Sequence, residues 1–109
     1  MHNKDKSLIL LMLETIDKIM LFTSDLSSAE EFEKDIKSFD ATIMNFIVLG
    51  ESVGKLTEQF KEVHSKIDWQ KIYAFRNVLA HDYFGIYPPE VWEIIQKNLA
   101  KLKLELESI

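Results

Sequence analysis

Apolar residues return at three- and four-residue steps along most of the chain. Leu8, Leu11, Met12, Ile16, Ile19 and Met20 give one broad face to a helix predicted from about Asp5 to Phe22. Thr23-Ser24-Asp25 ends it. Ser28 with Glu31 three residues later has the form of a capping box and opens a short acidic helix to about Lys37. Phe39, Ile43, Phe46, Gly50, Val53 and Phe60 carry a third helix from Ser38 or Asp40 to about Lys61. Asp68 is suited to cap a fourth, from Trp69 to around Tyr83, with Gly85 as its stop. Pro88-Pro89 opens a last helix, striped by Val91, Ile94, Ile95, Leu99, Leu102 and Leu106. No sustained period-two alternation and no Asn-Gly or Asp-Gly turn points to strands. The expected fold is all-α: an up-and-down bundle of four long helices plus one short helix, one domain over residues 1–109.

Gly50 and Gly54 sit inside the third helix, four residues apart. Each costs a helix up to ~1 kcal/mol against alanine. Two readings stay open: tolerated glycines, or glycines that let a neighbouring helix approach closely.

Composition narrows the classes. The chain has no cysteine, which excludes a disulfide framework, a thiolate zinc site and a cysteine nucleophile. Its longest apolar run, Leu8 to Leu13, is too short for the ~20 residues that span a bilayer. An acid, Asp5, lies in the N-terminal charged stretch, and Glu14 and Asp17 follow the apolar run. The expectation is a cytoplasmic protein with no cleaved signal peptide and no membrane partner. Net charge is −5, but residues 25–40 hold six acids against two lysines. The remainder is nearly neutral and can present a basic face. Without a polybasic tail, tight nonspecific binding to duplex DNA is not expected. Twelve lysines stand against a single arginine, Arg76. That is either chance or a place where a planar fork of donors is needed.

The fourth helix concentrates polar groups. Tyr73, Asn77 and His81 form a stripe at four-residue steps, and Arg76 and Tyr83, seven apart, lie nearly over each other. Arg76 and His81 are five apart, roughly 140° round a straight helix. They either flank a groove or meet an equivalent pair from a second chain. A histidine takes and gives protons near neutral pH. An arginine stabilises charge on a phosphoryl oxygen, and Asn77 is suited to orient either. The set fits attack of an RNA 2′-hydroxyl on its adjacent phosphate, with no metal and no cofactor. His2, His64 and His81 are dispersed and show no zinc-ligand spacing. The competing reading is structural: histidine near a helix end complements the helix dipole, and Tyr83 packs as a core aromatic with a wet hydroxyl.

Arg76-Asn77-Val78-Leu79-Ala80-His81-Asp82-Tyr83 resembles the Arg-x4-His-x-Tyr motif of HEPN domains, in their HepT-like branch. Gly50-Glu51-Ser52 resembles that branch's Gly-Glu-Ala, and Trp69, Phe84 and Val91-Trp92 also fit. The resemblance covers roughly residues 39 to 105. The chain departs at Ser52, lacks a Tyr-Pro before Asp68, and is short for the branch, which leaves room for a further terminal element. The resemblance implies a dimerising bundle and a metal-independent ribonuclease toxin of a toxin–antitoxin pair. The antitoxin partner would be a minimal nucleotidyltransferase that transfers AMP to the motif tyrosine. By position, Arg76 and His81 would be catalytic, Asn77 supporting and Tyr83 the AMP acceptor, with Glu51 and Tyr73 as possible supporting residues. Two other classes compete. One is a non-catalytic nucleotide- or RNA-binding partner subunit of a nucleotidyltransferase. The other is a helical dimerisation module, which requires the motif residues to be buried and paired in the core.

Overall fold

The computed structural model describes residues 3–109; Met1 and His2, at the head of the acid-bearing N-terminal stretch, lie outside the described residues. Helix α1 (Asn3–Thr23) turns Ile9, Met12, Ile16 and Ile19 inward, all of them buried. It packs along α3 (Ile36–Lys55), and α3 packs in turn on α5 (Trp69–His81), so α3 lies between two partners. Between them α2 (Ala29–Lys34) starts at the expected box. Ser28 Oγ accepts from the Glu31 amide at 3.2 Å, and Glu31 Oε1 accepts from the Ser27 amide at 2.9 Å. That turn drives Phe32 into the core, where its ring meets Phe39 at 5.0 Å and Trp92 at 5.7 Å. The all-α bundle is as expected, and among the described residues there is no strand. Among the described residues no helix is long and apolar enough to cross a membrane.

Several boundaries differ from the periodicity. The acidic helix stops at Lys34 rather than Lys37, because Asp35 both ends it and caps the next, its Oδ1 accepting from the Ser38 amide at 3.1 Å. The third helix therefore starts at Ile36, and it stops at Lys55 rather than Lys61. Leu56 and Thr57 are extended, and Thr57 caps a separate short helix, α4 (Glu58–Val63). The break is fixed from outside the segment. Buried Asp5 of α1 accepts from Thr57 N at 2.9 Å and from Thr57 Oγ1 at 2.7 Å. Leu56 and Phe60 are buried on either side of it, so the apolar spacing runs straight through the interruption.

The fourth long helix ends at His81, not near Tyr83. Asp82 is extended (φ −148°, ψ 92°), and Tyr83–Gly85 form a 3-10 turn. Gly85 has no positive φ, so it is not a left-handed cap. The last stripe, begun by Pro88 as expected, is divided at Asn98 into α6 (Pro88–Lys97) and α7 (Leu99–Glu107). The amide of Asn98 still donates to Ile94 O and its carbonyl accepts from Leu102 N. The pitch nearly continues, and Val91, Ile95, Leu99 and Leu106 stay on one buried face.

Candidate active site

Gly50 of α3 sets how near α5 can lie, and Gly54 makes room for the Tyr73 ring. A Cβ on Gly50 would fall 2.2 Å from Arg76 Cβ and 2.8 Å from its Cγ; one on Gly54 would fall 2.7 Å from Tyr73 Cε1. The close-contact reading of the pair is therefore the one realised, and the groups approached are Arg76 and Tyr73 themselves. Edge-on packing of Phe75 against Phe46, at 5.3 Å between ring centres, locks the same interface.

Arg76 is consequently held along its stem. Its guanidinium carbon lies 4.7 Å from the centre of the Tyr73 ring, a cation–π placement. Its Nε is buried and has no hydrogen-bond partner, and among the described residues no carboxylate pairs with it. A buried donor without a partner carries a free-energy cost. Here it falls on the Nε of a half-buried guanidinium whose stem is held by packing.

Asn77, His81 and Tyr83 are exposed, and so is Glu51, next to Gly50 on α3. Within this chain they are not paired in the core, as a bare dimerisation module requires. His81 is the last residue of α5 and keeps its place on the helix, so no unwinding re-aims it toward Arg76. Val78, 62% exposed, and exposed Ala74 share the side of α5 that carries His81. Tyr73 keeps its four-residue step with Asn77 and His81 along α5, and its ring also lies against the guanidinium of Arg76, three residues on. It also lines a groove of about 680 Å3 along the first half of α5, with Gly54, Lys61, Lys66 and Gln70.

Tyr83 has a partner that spacing did not indicate. Its hydroxyl donates to Asp40 Oδ1, near the start of α3, at 2.5 Å. The Phe39 ring stands edge-on to Tyr83 at 6.2 Å and the Phe84 ring at 5.4 Å. The hydrogen bond to Asp40, then burial and the negative charge of Asp40, raise the phenol above its ordinary 10.0. The neutral phenol is thus favoured by the fold. Whatever stability the contact gives is present below the ordinary value and fades as pH rises through the raised one. Asp40→Asn is expected to bring Tyr83 ionisation back toward 10.0, followed by tyrosinate absorbance in an alkaline titration.

Among the described residues no group of three or more His, Cys, Asp or Glu side chains is placed to hold a metal ion. The sequence model of the HepT-like ribonucleases matches residues 12–109.

The chain belongs to the HepT-like ribonuclease family.

Relatives of this HepT-like chain occur in bacteria and archaea. A protein provisionally named an RNase in Caldanaerobacter subterraneus is 35% identical over 75% of this chain and 73% of its own. One provisionally named an RNase in Methanocaldococcus jannaschii is 34% identical over 90% of this chain and 80% of its own. One provisionally named ribonuclease HepT in Thermococcus cleftensis is 29% identical over 88% and 86%. No solved structure is significantly similar.

Three of the residues that carry the HepT-like resemblance outside the motif are held within the fold. Trp69 is buried and donates its indole N–H to His64 O at 3.1 Å. Trp92 packs on Phe32. Ser52, the departure from Gly-Glu-Ala, is buried with its hydroxyl donating to Val48 O at 2.9 Å, so the extra oxygen is satisfied within the helix. Phe84 is 95% exposed.

Proposed function

We propose that this HepT-like ribonuclease is a metal-independent endoribonuclease toxin whose site forms where two copies meet. The observation that carries this reading is Arg76: the chain's one guanidinium, fixed by Gly50 and Tyr73, with no carboxylate partner among the described residues. Such a group is suited to hold the non-bridging oxygens of a phosphodiester as negative charge builds on them. His81 is exposed and beside apolar Val78 and Ala74, positions that gain by being covered. A two-fold assembly across this side supplies two imidazoles. One accepts the proton of the RNA 2′-hydroxyl while the other donates to the departing 5′-oxygen. The 2′-oxygen–phosphorus bond forms, the phosphorus–5′-oxygen bond breaks, and the products end in a 2′,3′-cyclic phosphate and a 5′-hydroxyl. Asn77, one residue past Arg76, orients the phosphate or the imidazole.

Neutralisation follows from Tyr83. In this reading a minimal nucleotidyltransferase, the antitoxin, transfers AMP to its exposed hydroxyl. A bulky anion there adds negative charge close to the motif and repels the RNA backbone. The test is incubation of purified protein, with Tyr83 unmodified, and end-labelled RNA in the presence of chelator. Cleavage with 2′,3′-cyclic phosphate ends is expected. RNA bound but left intact would favour the non-catalytic partner subunit instead.

A further inference from the structure

We propose that Asp40 is the general base for nucleotide transfer to Tyr83, its carboxylate taking the phenol proton as Tyr83 Oη bonds to the α-phosphorus of ATP. This rests on the reading of Tyr83 as the AMP acceptor and adds the group that makes it a nucleophile.

The two residues are 43 apart in sequence and meet because the 3-10 turn after α5 folds back on the start of α3. Two tertiary contacts, from Phe39 and Asp40, hold the phenol. Phe39 stands edge-on to the ring, and Asp40 Oδ1 accepts a hydrogen bond from the hydroxyl at 2.5 Å. No cation is ion-paired with Asp40 among the described residues, so its carboxylate is committed to this hydroxyl. Tyr83 is nevertheless 48% exposed, leaving room for an incoming triphosphate.

The chemistry needs such a base. The fold favours the neutral phenol, so little phenolate stands ready. The proton must depart while the new bond forms, and an aligned carboxylate is the usual device in phosphoryl transfer to a hydroxyl. In the balanced step the Oη–Pα bond forms and the bond from Pα to the β-phosphate oxygen breaks. Pyrophosphate leaves with that electron pair, and the phenol proton passes to Asp40 and then to water. ATP and its positioning come from the partner transferase.

The test uses the full chain, the purified minimal nucleotidyltransferase of its own host, and ATP, with intact mass and peptide mapping as readouts. Wild type is expected to gain AMP on Tyr83, and Tyr83→Phe to gain none. Asp40→Asn is expected to be modified at least ~100-fold more slowly in kcat, with the KM for ATP little changed. Asp40→Glu, which keeps the carboxylate, is expected to recover most of that rate; a purely structural hydrogen bond would be kept by asparagine and would not give this order. Asp40→Asn modified as fast as wild type overturns the proposal while leaving Tyr83 as acceptor. Wild type without AMP, or Tyr83→Phe modified equally well, removes the underlying reading and the proposal with it.

Discussion

Arg76→Ala is expected to lower RNA cleavage by about a thousandfold, the range seen when a preorganised donor to a developing oxyanion is removed. The fold should survive, because the part of Arg76 that packs on Gly50 is its Cβ and Cγ, and alanine keeps the Cβ. Arg76→Lys separates charge from geometry. An ammonium retains the positive charge but not the planar fork, and it loses stacking on Tyr73. It should recover RNA binding more than turnover. Single-turnover cleavage at saturating protein distinguishes the two: a lysine variant at full rate would mean that the guanidinium serves only as a point charge.

Gly50→Ala is expected to destabilise the chain and disable it together. In an open helix this change gains up to ~1 kcal/mol of propensity. Here the new methyl would meet Arg76 Cβ at 2.2 Å and Ile72 O at 3.3 Å. Both are tied to the α5 backbone, so no side-chain rotation relieves the overlap, and α5 must move off α3. Overpacking of this kind costs ~1–3 kcal/mol, and more where backbones must separate. In a domain of this size that lowers the melting temperature by about 5 °C or more. The shift also carries Arg76 away from its position, so cleavage should fall in the molecules that remain folded. Gly54→Ala is the control. Its methyl meets the rim of the Tyr73 ring, which can swing aside. Stability should change little, while the support under Arg76 is lost. Thermal unfolding of the two variants side by side checks the contrast; equal stability of Gly50→Ala and wild type would show that the helices are not held at this spacing.

Local signals carried a good part of this. The cap at Ser28 and that at Asp68, whose Oδ1 accepts from the Lys71 amide at 3.0 Å, follow from one helical turn of sequence. The Gly50–Gly54 pair left a close approach as one of two open readings, and Arg76, Asn77 and His81 do lie on one helix. One misplaced boundary has a distant cause. Thr57 breaks α3 from α4 with the help of Asp5, 52 residues away. The third helix was expected to start at Ser38 or Asp40, yet it starts at Ile36 under the Asp35 cap, and Asp40 binds Tyr83. Asn98 interrupts the last stripe while the apolar spacing continues across it. Periodicity reports which face is buried, and it reports neither the tertiary partners of a polar side chain nor a break that keeps the face.

The proposed site would join a guanidinium fixed by packing to an exposed imidazole roughly 140° away on the same helix. That separation is why a second copy is invoked. The most direct measurement is cleavage of one labelled RNA by wild-type and His81→Ala protein at matched dimer concentration, read as formation of 2′,3′-cyclic phosphate ends. The account predicts cyclic ends from wild type and a loss of ~100-fold or more without the imidazole. Undiminished cleavage by His81→Ala would contradict it.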